Sequence, residues 1–159
     1  MKSRTIALAV ASIALGLSGC ASTLENLVKS PGIELRDIQV IGLGLDSQNF
    51  LLSFDISNPN PFSLPISSVS YGIKLDGHRF ASGQTPSEFS VPASGATQFA
   101  ISVDLNLLQT APQLLTIVRQ GIRQDVMYEL DGQLAVDIPL TPPVSYHNSG
   151  SIRLSAGSR

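Results

Sequence analysis

The spacing of the apolar residues restricts the fold most, because from Ile33 onward they recur at every second position in short runs. In residues 49–57, Phe50, Leu52, Phe54 and Ile56 alternate with polar or mixed residues. Successive side chains of a β-strand point to opposite faces, so this spacing gives a strand with one buried face. Glycine, proline, asparagine, aspartate and serine separate the runs, which predicts an all-β sandwich or barrel.

Other segments have the same period and are predicted to be strands: residues 33–43, 66–75, 97–105 and 143–154, the last supplying one or two. Residues 66–75 end at Asp76-Gly77, a preferred pair for a type I′ hairpin turn. A two-residue turn there pairs Leu75 with His78 and Ile73 with Phe80. The same register sets the like charges of Lys74 and Arg79 opposite each other on the solvent face.

A second aspartate–glycine pair, Asp131-Gly132, is predicted to lie inside a strand. The apolar residues on both sides of it have even numbers, and a two-residue turn would move the later ones to the other face. Residues 125–138 are therefore predicted to form one long strand with a bulge or bend at Gly132. The even-numbered residues are Val126, Tyr128, Leu130, Leu134, Val136 and Ile138.

One helix is predicted, at residues 111–123. Thr110 to Gln113 fits a capping box, and Pro112 is tolerated in a first turn. The helix is expected to pack on the sandwich through one apolar stripe. That stripe consists of Ala111, Leu115, Val118 and Ile122, with Leu114 beside it.

The N-terminus has the pattern of a secretory signal. Lys2 and Arg4 precede an apolar run from Ile6 to Leu17, which is shorter than the roughly 20 apolar residues of a membrane-spanning helix. Residues 17–20, LSGC, resemble a bacterial lipobox, in which diacylglycerol is attached to the cysteine sulfur before cleavage. Cys20 is the only cysteine, so it has no internal disulfide partner. The alternative is an ordinary signal peptide that ends at a chance cysteine.

These patterns predict four segments: a cleaved signal peptide at residues 1–19, an acylated tether at 20–32, one β domain at 33–154 and a C-terminal tail at 155–159. Two or three acyl chains would hold the protein firmly to a membrane. Ala21 and Ser22 follow the cysteine without an aspartate. By resemblance to bacterial sorting rules, this favours the outer membrane, facing the periplasm.

Charge and composition disfavour several classes of function. The chain has 10 Lys and Arg against 12 Asp and Glu, and cleavage after residue 19 removes Lys2 and Arg4, which leaves 8 against 12, a net charge of −4. Without a basic cluster, nucleic acid is not an expected partner. No catalytic, phosphate-binding or metal-binding motif is present, so neither an enzyme nor a cofactor is expected. His78 and His147 are interpreted as residues of a turn and a polar loop, and the acidic residues as a solvated face.

Pro59, Pro61 and Pro65 follow the clearest strand, and they share one parity while Asn58, Asn60 and Phe62 continue the other. Residues before proline favour extended geometry, so the chain is predicted to stay extended, with backbone donors missing on one side only. Residues 58–65 should therefore lie at a sheet edge or at a crossing between sheets. The two asparagines are expected to bond neighbouring backbone, with Phe62 as an apolar anchor; contact with a ligand is the alternative.

The motif NPNPF, formed by Asn58, Pro59, Asn60, Pro61 and Phe62, also supports a family assignment. Together with G-x-L-x-V-D-I-P at residues 132–139 and SYHNSGSIRL at 145–154, it resembles the late embryogenesis abundant (LEA) type 2 family, whose core is the water stress and hypersensitive response (WHy) module. The resemblance covers about residues 33–154. It implies an immunoglobulin- or fibronectin-III-like sandwich of about seven strands with one helix, in a bacterial lipoprotein form.

The resemblance implies protection during desiccation or related water stress, without catalytic residues. The leading hypothesis is a lipid-anchored, non-enzymatic envelope protein. An alternative is a periplasmic module that binds a lipid or another apolar ligand between its sheets or beside its helix. A scaffold of an envelope complex is a third possibility.

Overall fold

The computed structural model describes residues 28–157. Cys20, the predicted signal peptide and most of the predicted tether lie outside this range. The described residues form eight strands and two helices: β1 (Gly32–Leu43), β2 (Gln48–Ser57), β3 (Leu64–Leu75), β4 (His78–Val91), β5 (Ala96–Leu105), α1 (Leu107–Thr110), α2 (Pro112–Gly121), β6 (Val126–Val136), β7 (Val144–Ile152) and β8 (Ser155–Ala156).

The strands form two four-stranded sheets with their core between them, which confirms the β-sandwich. One sheet has the order β5-β2-β1-β8 and the other β4-β3-β6-β7. The alternating residues of β2 supply much of this core, since Phe50, Leu52, Phe54 and Ile56 are all buried. The predicted strands at 33–43, 49–57, 66–75 and 97–105 correspond to β1, β2, β3 and β5.

The sandwich has two ends, which differ in their connections. At the helix end lie residues 44–47, 76–77, 106–125 and 153–157. At the other end, the proline end, lie residues 58–63, 92–95 and 137–143. The chain also enters β1 at the proline end, because Gly32 pairs with Ser57, the last residue of β2.

A β-bulge explains why the buried residues of β1 change parity. Ile33 and Leu35 are buried at odd positions, whereas Ile38 and Val40 are buried at even positions. The register with β2 shifts between Leu35 and Asp37, so an extra residue turns the following side chains to the other face.

The predicted hairpin at Asp76-Gly77 forms, but its register holds for only two pairs. Asp76 and Gly77 have φ angles of 46° and 77°, as a type I′ turn requires. Leu75 pairs with His78 and Lys74 with Arg79, as predicted, whereas Ile73 pairs with Ala81 instead of Phe80. The extra residue in β4 allows Phe80 and Ala81 both to be buried. The Lys74 Nζ lies 3.0 Å from Glu129 Oε2. The carboxylate of Glu129 therefore reduces the repulsion between Lys74 and Arg79.

Asp131-Gly132 lies within β6, so one strand passes through it as predicted. The expected bulge or bend at Gly132 was wrong, because the register is regular on both sides: Gly132 pairs with Tyr71 of β3 and with Tyr146 of β7. His147 lies in β7 and is exposed, rather than in a polar loop.

The helical region differs from its prediction in two ways. Thr110 ends α1, where its hydroxyl donates to the Asn106 carbonyl oxygen at 2.6 Å, and no side chain caps α2; the predicted capping box was therefore wrong. Pro112 does begin α2. The buried stripe is also rotated from the predicted one, with Ile122 at the exposed margin. It consists of Leu114, Ile117, Val118 and Gly121.

The paired region extends beyond the predicted boundary at residue 154. Ser155 and Ala156 form β8, which runs parallel to β1 and pairs with Gln39 and Val40. The Ser155 hydroxyl also donates to Asp37 Oδ2 at 2.8 Å. This strand covers part of the edge of β1 at the helix end, and it brings the number of strands to eight rather than about seven.

Candidate functional site

Two asparagine side chains at the proline end are buried, which is unusual for this residue type. Asn58 and Asn60 are 2% and 1% exposed, and Gln48 is the third buried polar side chain among residues 28–157. Burial of an amide costs free energy unless its donors and acceptor are hydrogen-bonded. We refer to the Asn58 and Asn60 side chains together as the asparagine hub.

Asn58 joins the β2–β3 connection to the β4–β5 turn. Its Nδ2 donates to the carbonyl oxygens of Phe62, Val91 and Pro92 at 2.7, 3.2 and 3.1 Å. Its Oδ1 accepts from the backbone N and from Nδ2 of Asn60, both at 2.9 Å. The two segments also bond through their backbones, since Asn58 N donates to the Gly95 carbonyl oxygen at 2.8 Å.

Asn60 joins the same connection to the chain that precedes β1. Its Oδ1 accepts from the backbone N of Lys29 at 2.7 Å, and its Nδ2 donates to the carbonyl oxygen of Lys29 at 2.9 Å. Val28 is partly buried against the core, and Pro31 is buried. The last residues of the predicted tether therefore contact the folded domain.

The structure confirms part of the prediction for the NPNPF motif. The motif lies at a crossing between the sheets, and both asparagines bond neighbouring backbone. The extended path was wrong, because the chain bends at residues 60–62 so that the amides can turn inward. Phe62 as an apolar anchor was also wrong, since this side chain is 38% exposed.

Pro65 is the one motif-flanking proline that lies in a strand. It pairs with Ser90 of β4, and its carbonyl oxygen accepts from Asp137 N at 2.9 Å on the other side. The backbone N and O of one strand residue point to the same neighbour, so the missing donor faces β6. That strand has already ended at Val136, opposite Ile66, and the proline costs no ladder bond there.

The hub organises the fold rather than presenting free groups for chemistry. Among the described residues, no buried side-chain nitrogen or oxygen lacks a hydrogen-bond partner. The three chain segments that meet there are far apart in sequence. We interpret Asn58 and Asn60 as residues that fix the β2–β3 crossing, the β4–β5 turn and the entry of the chain relative to one another.

Gln48 has a similar role at the helix end and was not predicted. Its Nε2 donates to the Gly44 carbonyl oxygen and its Oε1 accepts from Leu107 N, both at 2.7 Å. This amide joins the β1–β2 loop to the start of α1. Gln48 lies two residues before Phe50, on the same face of β2, and this position was the signal in the sequence that its side chain could be buried.

Each of the three tyrosines lies directly opposite a glycine of a neighbouring strand. Tyr71 pairs with Gly83, Tyr128 with Gly150, and Tyr146 with Gly132. A Cβ atom on Gly132 would lie 2.7 Å from Tyr146 Cζ. Glycine therefore leaves the space that the tyrosine rings occupy across the sheet.

The Tyr146 hydroxyl is buried and donates to the Ser70 carbonyl oxygen at 2.7 Å. Burial raises its pKa above the ordinary value of 10.0, and the charges of Asp131 and of ionised Tyr71 raise it further. Burial also raises the pKa values of Tyr71 and Tyr128. The folded domain therefore favours neutral tyrosines, which contributes stability that is fully present below about pH 10 and is lost as the pH rises above it.

This linkage gives a prediction for alkaline pH. Tyr146→Phe should cost about 1 kcal/mol at pH 8, because it removes the bond to Ser70. Between pH 8 and pH 11, the free energy of unfolding should fall less in the variant than in the wild type, because the variant lacks one tyrosine whose pKa is raised by folding. Urea unfolding of wild type and variant at both pH values measures the difference. An equal loss in the two proteins would contradict the role of Tyr146.

The sequence comparison places these features in a known family. The family model for LEA type 2, described as late embryogenesis abundant protein, matches residues 53–150. The chain belongs to the LEA type 2 family.

LEA relatives align over most of this chain. The desiccation protectant protein Lea14 homolog of Glycine max is 30% identical over 141 residues, with 84% of this chain and 87% of that protein covered. The late embryogenesis abundant protein Lea14-A of Gossypium hirsutum is 28% identical over 134 residues, with 80% and 83% covered. These relatives support a role of the LEA domain in desiccation or a related stress.

Solved LEA-like structures agree with the sandwich fold. An Arabidopsis thaliana protein determined in solution has a TM-score of 0.60 and 24% identity, with 83% of this chain and 86% of that chain covered. A second solution structure, of an Arabidopsis thaliana LEA protein, has a TM-score of 0.52 and 26% identity, with 85% and 76% covered.

One cleft on this LEA domain lies beside the helices, between the start of β4 and the end of β5. Its volume is about 630 Å³. Phe80, Leu107 and Leu114 line its floor and are buried, whereas Arg79, Asp104 and Gln113 are among the exposed residues of its rim. Binding of an apolar ligand beside the helix stays a prediction, and this cleft is where such a ligand would bind.

The described residues contain no group of three His, Cys, Asp or Glu side chains that could hold a metal ion. His78 is exposed in the hairpin, and its Nδ1 lies 2.9 Å from the Asp76 carbonyl oxygen, as expected for a turn residue. No helix within residues 28–157 has the length and apolar character to cross a membrane. Cys20 lies outside the described residues, so its lipidation stays a prediction.

Proposed function

We propose that this LEA protein is a non-enzymatic envelope protein that protects membranes or proteins during water stress while held to the outer membrane by acyl chains on Cys20. The observation that carries the protective role is the match to desiccation-related relatives over 84% of the chain. The anchor rests on the basic start, the short apolar run and the lipobox-like LSGC of the sequence.

The arrangement of the chain is compatible with this anchor. Cys20 precedes Lys29 by nine residues, and Lys29 is bonded to Asn60. Acyl chains on Cys20 would therefore attach to the domain through a short segment that ends in a fixed position. The partner in this proposal is the membrane, and the protected molecules are other components of the envelope.

Survival after drying tests the proposal in a deletion strain restored with wild type, Cys20→Ala or Ser22→Ala. We expect wild type and Ser22→Ala to restore survival and to sediment with the outer membrane. Cys20→Ala should move the protein to the soluble fraction and reduce survival several-fold, because the acyl attachment atom is gone. Equal survival of the deletion strain and the wild type would overturn the protective role, and membrane retention of Cys20→Ala would overturn the anchor.

A further inference from the structure

The three loops of the proline end carry one charged side chain, Asp137, which directly follows the last residue of β6. Residues 58–63, 92–95 and 137–143 read NPNPFS, PASG and DIPLTPP. The helix end is different, with several acidic and basic residues in or next to its connections. They include Asp46, Asp76, Arg79, Asp104, Arg119, Arg123, Asp125 and Arg153. Transfer of a charge from water is costly, so only the proline end can approach an apolar phase cheaply.

The backbone of the proline end also has a reduced number of free donors. Six of the ten prolines of the chain lie in these three loops and have no N–H: Pro59, Pro61, Pro92, Pro139, Pro142 and Pro143. Three further donors in the loops are bonded internally. Asn60 N donates to Asn58 Oδ1, Ser94 N to the Asn60 carbonyl oxygen, and Thr141 N to the Ile138 carbonyl oxygen. A surface with satisfied or missing donors loses little when water is removed.

Two large apolar side chains project from this surface. Phe62 is 38% exposed and Leu140 is fully exposed, at 103%. Their loops are neighbours, because Asp137 N, three residues before Leu140, donates to the carbonyl oxygen of Pro65, three residues after Phe62. Two charged residues are hydrogen-bonded to this region through their backbone: Lys29 to Asn60, and Asp137 to Pro65; both are exposed.

The position of the predicted anchor relates this surface to a membrane. Nine residues from Cys20 to Lys29 span at most about 30 Å when fully extended. The 12 residues of β1 span about 40 Å along the sandwich. The segment is therefore shorter than the domain, and the end where it attaches lies nearer to the lipid than the helix end.

We propose that the proline end is a membrane-docking surface, with Phe62 and Leu140 inserted at the boundary between lipid headgroups and acyl chains. This proposal rests on the proposed acyl anchor. Lys29 lies at the same end, where its ammonium group suits a lipid phosphate. Asp137 lies at the base of its loop, beside Pro65, farther from the tip than Leu140. The helix end, with the polar-rimmed cleft, then faces away from the bilayer.

Tryptophan fluorescence can test this orientation, because the natural chain has no tryptophan. Leu140→Trp places one at the proline end, and the matched control Leu45→Trp places one at the helix end, where Leu45 is 85% exposed. The full-length acylated proteins are reconstituted in phosphatidylethanolamine–phosphatidylglycerol vesicles with or without brominated acyl chains. We expect brominated lipid to quench Leu140→Trp about twofold or more and to leave Leu45→Trp unchanged, since only the first indole reaches the acyl region.

Vesicle flotation separates this test from that of the anchor. If both proteins float with the vesicles but neither indole is quenched, the anchor stands and the docking surface is overturned. If neither protein floats, the anchor fails, and absent quenching at high lipid concentration overturns the docking surface as well. Equal quenching at both ends would also overturn the proposed orientation. Docking should also protect the proline-end loops from added protease. Leu140→Asp should abolish this protection, whereas Leu45→Asp should leave it unchanged.

Discussion

Replacing Asn58 by aspartate is expected to cost the domain about 3 kcal/mol or more at pH 7, which is the range for an unpaired buried charge. The change keeps the shape of the side chain and removes only its two donor hydrogens. Three carbonyl oxygens, of Phe62, Val91 and Pro92, lie within 3.2 Å of the Asn58 nitrogen. One carboxylate oxygen would keep the two donors of Asn60. The other, in place of the nitrogen, would face acceptors alone at a side chain that is only 2% exposed.

The same variant should become more stable at acidic pH. Burial and the facing carbonyl oxygens disfavour the charged form, so the pKa of the introduced carboxyl rises in the folded state. For an acid with a raised folded-state pKa, the free energy of unfolding falls as the pH rises above the unfolded value of about 4. Chemical denaturation of Asn58→Asp and wild type at pH 4 and pH 7 measures this dependence.

The control for this experiment is Gln84→Glu, which makes an amide-to-carboxylate change at an exposed position of β4. Its stability should stay within about 0.5 kcal/mol of wild type. If Asn58→Asp were as stable as this control at pH 7, the asparagine hub would not have the role assigned to it. A large destabilisation without pH dependence would contradict the electrostatic explanation.

Gly132→Ala is expected to have the second large effect, a loss of about 3 kcal/mol or more, as for a severely overpacked site. The new Cβ would collide with the Ser70 carbonyl oxygen and lie 2.5 Å from the Tyr146 hydroxyl oxygen. Both contacts belong to paired strands, so the backbone of β3 or the buried ring of Tyr146 would have to move. Thermal and urea unfolding measure the loss.

Gly42→Ala is the matched control, because it makes the same change in another strand. No atom lies within 4 Å of the Cβ that it would add, and its φ is not positive. Reduced freedom of the unfolded chain should leave this variant unchanged or raise its stability by up to about 1 kcal/mol. Equal effects at Gly132 and Gly42 would show that the close approach of Tyr146 does not determine the residue at position 132.

The sequence predicts the strands well because one physical rule produces their pattern. Each of them buries one face, so alternation in β2 and shared parity along β6 reveal both the strand and its core residues. Parity also distinguishes the two aspartate–glycine pairs, only one of which is a hairpin turn. Asn58 and Asn60 continue the buried parity of Ile56, and this was the available signal for the hub.

Features that depend on contacts between distant segments were not predictable in the same way. Lys29 bonds to Asn60 through its backbone, which leaves no trace in residue type. The bulge in β4 buries two successive side chains, Phe80 and Ala81, and strict alternation does not predict such a pair. The helix has apolar residues at 114, 115, 117 and 118, so two stripes are possible. The buried stripe is the one that includes Gly121, and the side chain of Leu154, which is distant in sequence, packs closely against this glycine.

The pairing of Lys29 with Asn60 has a mechanical consequence. Any pull transmitted through the residues before Val28 reaches this amide–backbone pair before it reaches β1. Beyond it, the load arrives at Gly32 and Ser57, the terminal pair of an antiparallel ladder, where bonds open one after another instead of sharing the force. The asparagine therefore acts as a clamp in front of a strand that would otherwise peel from its end.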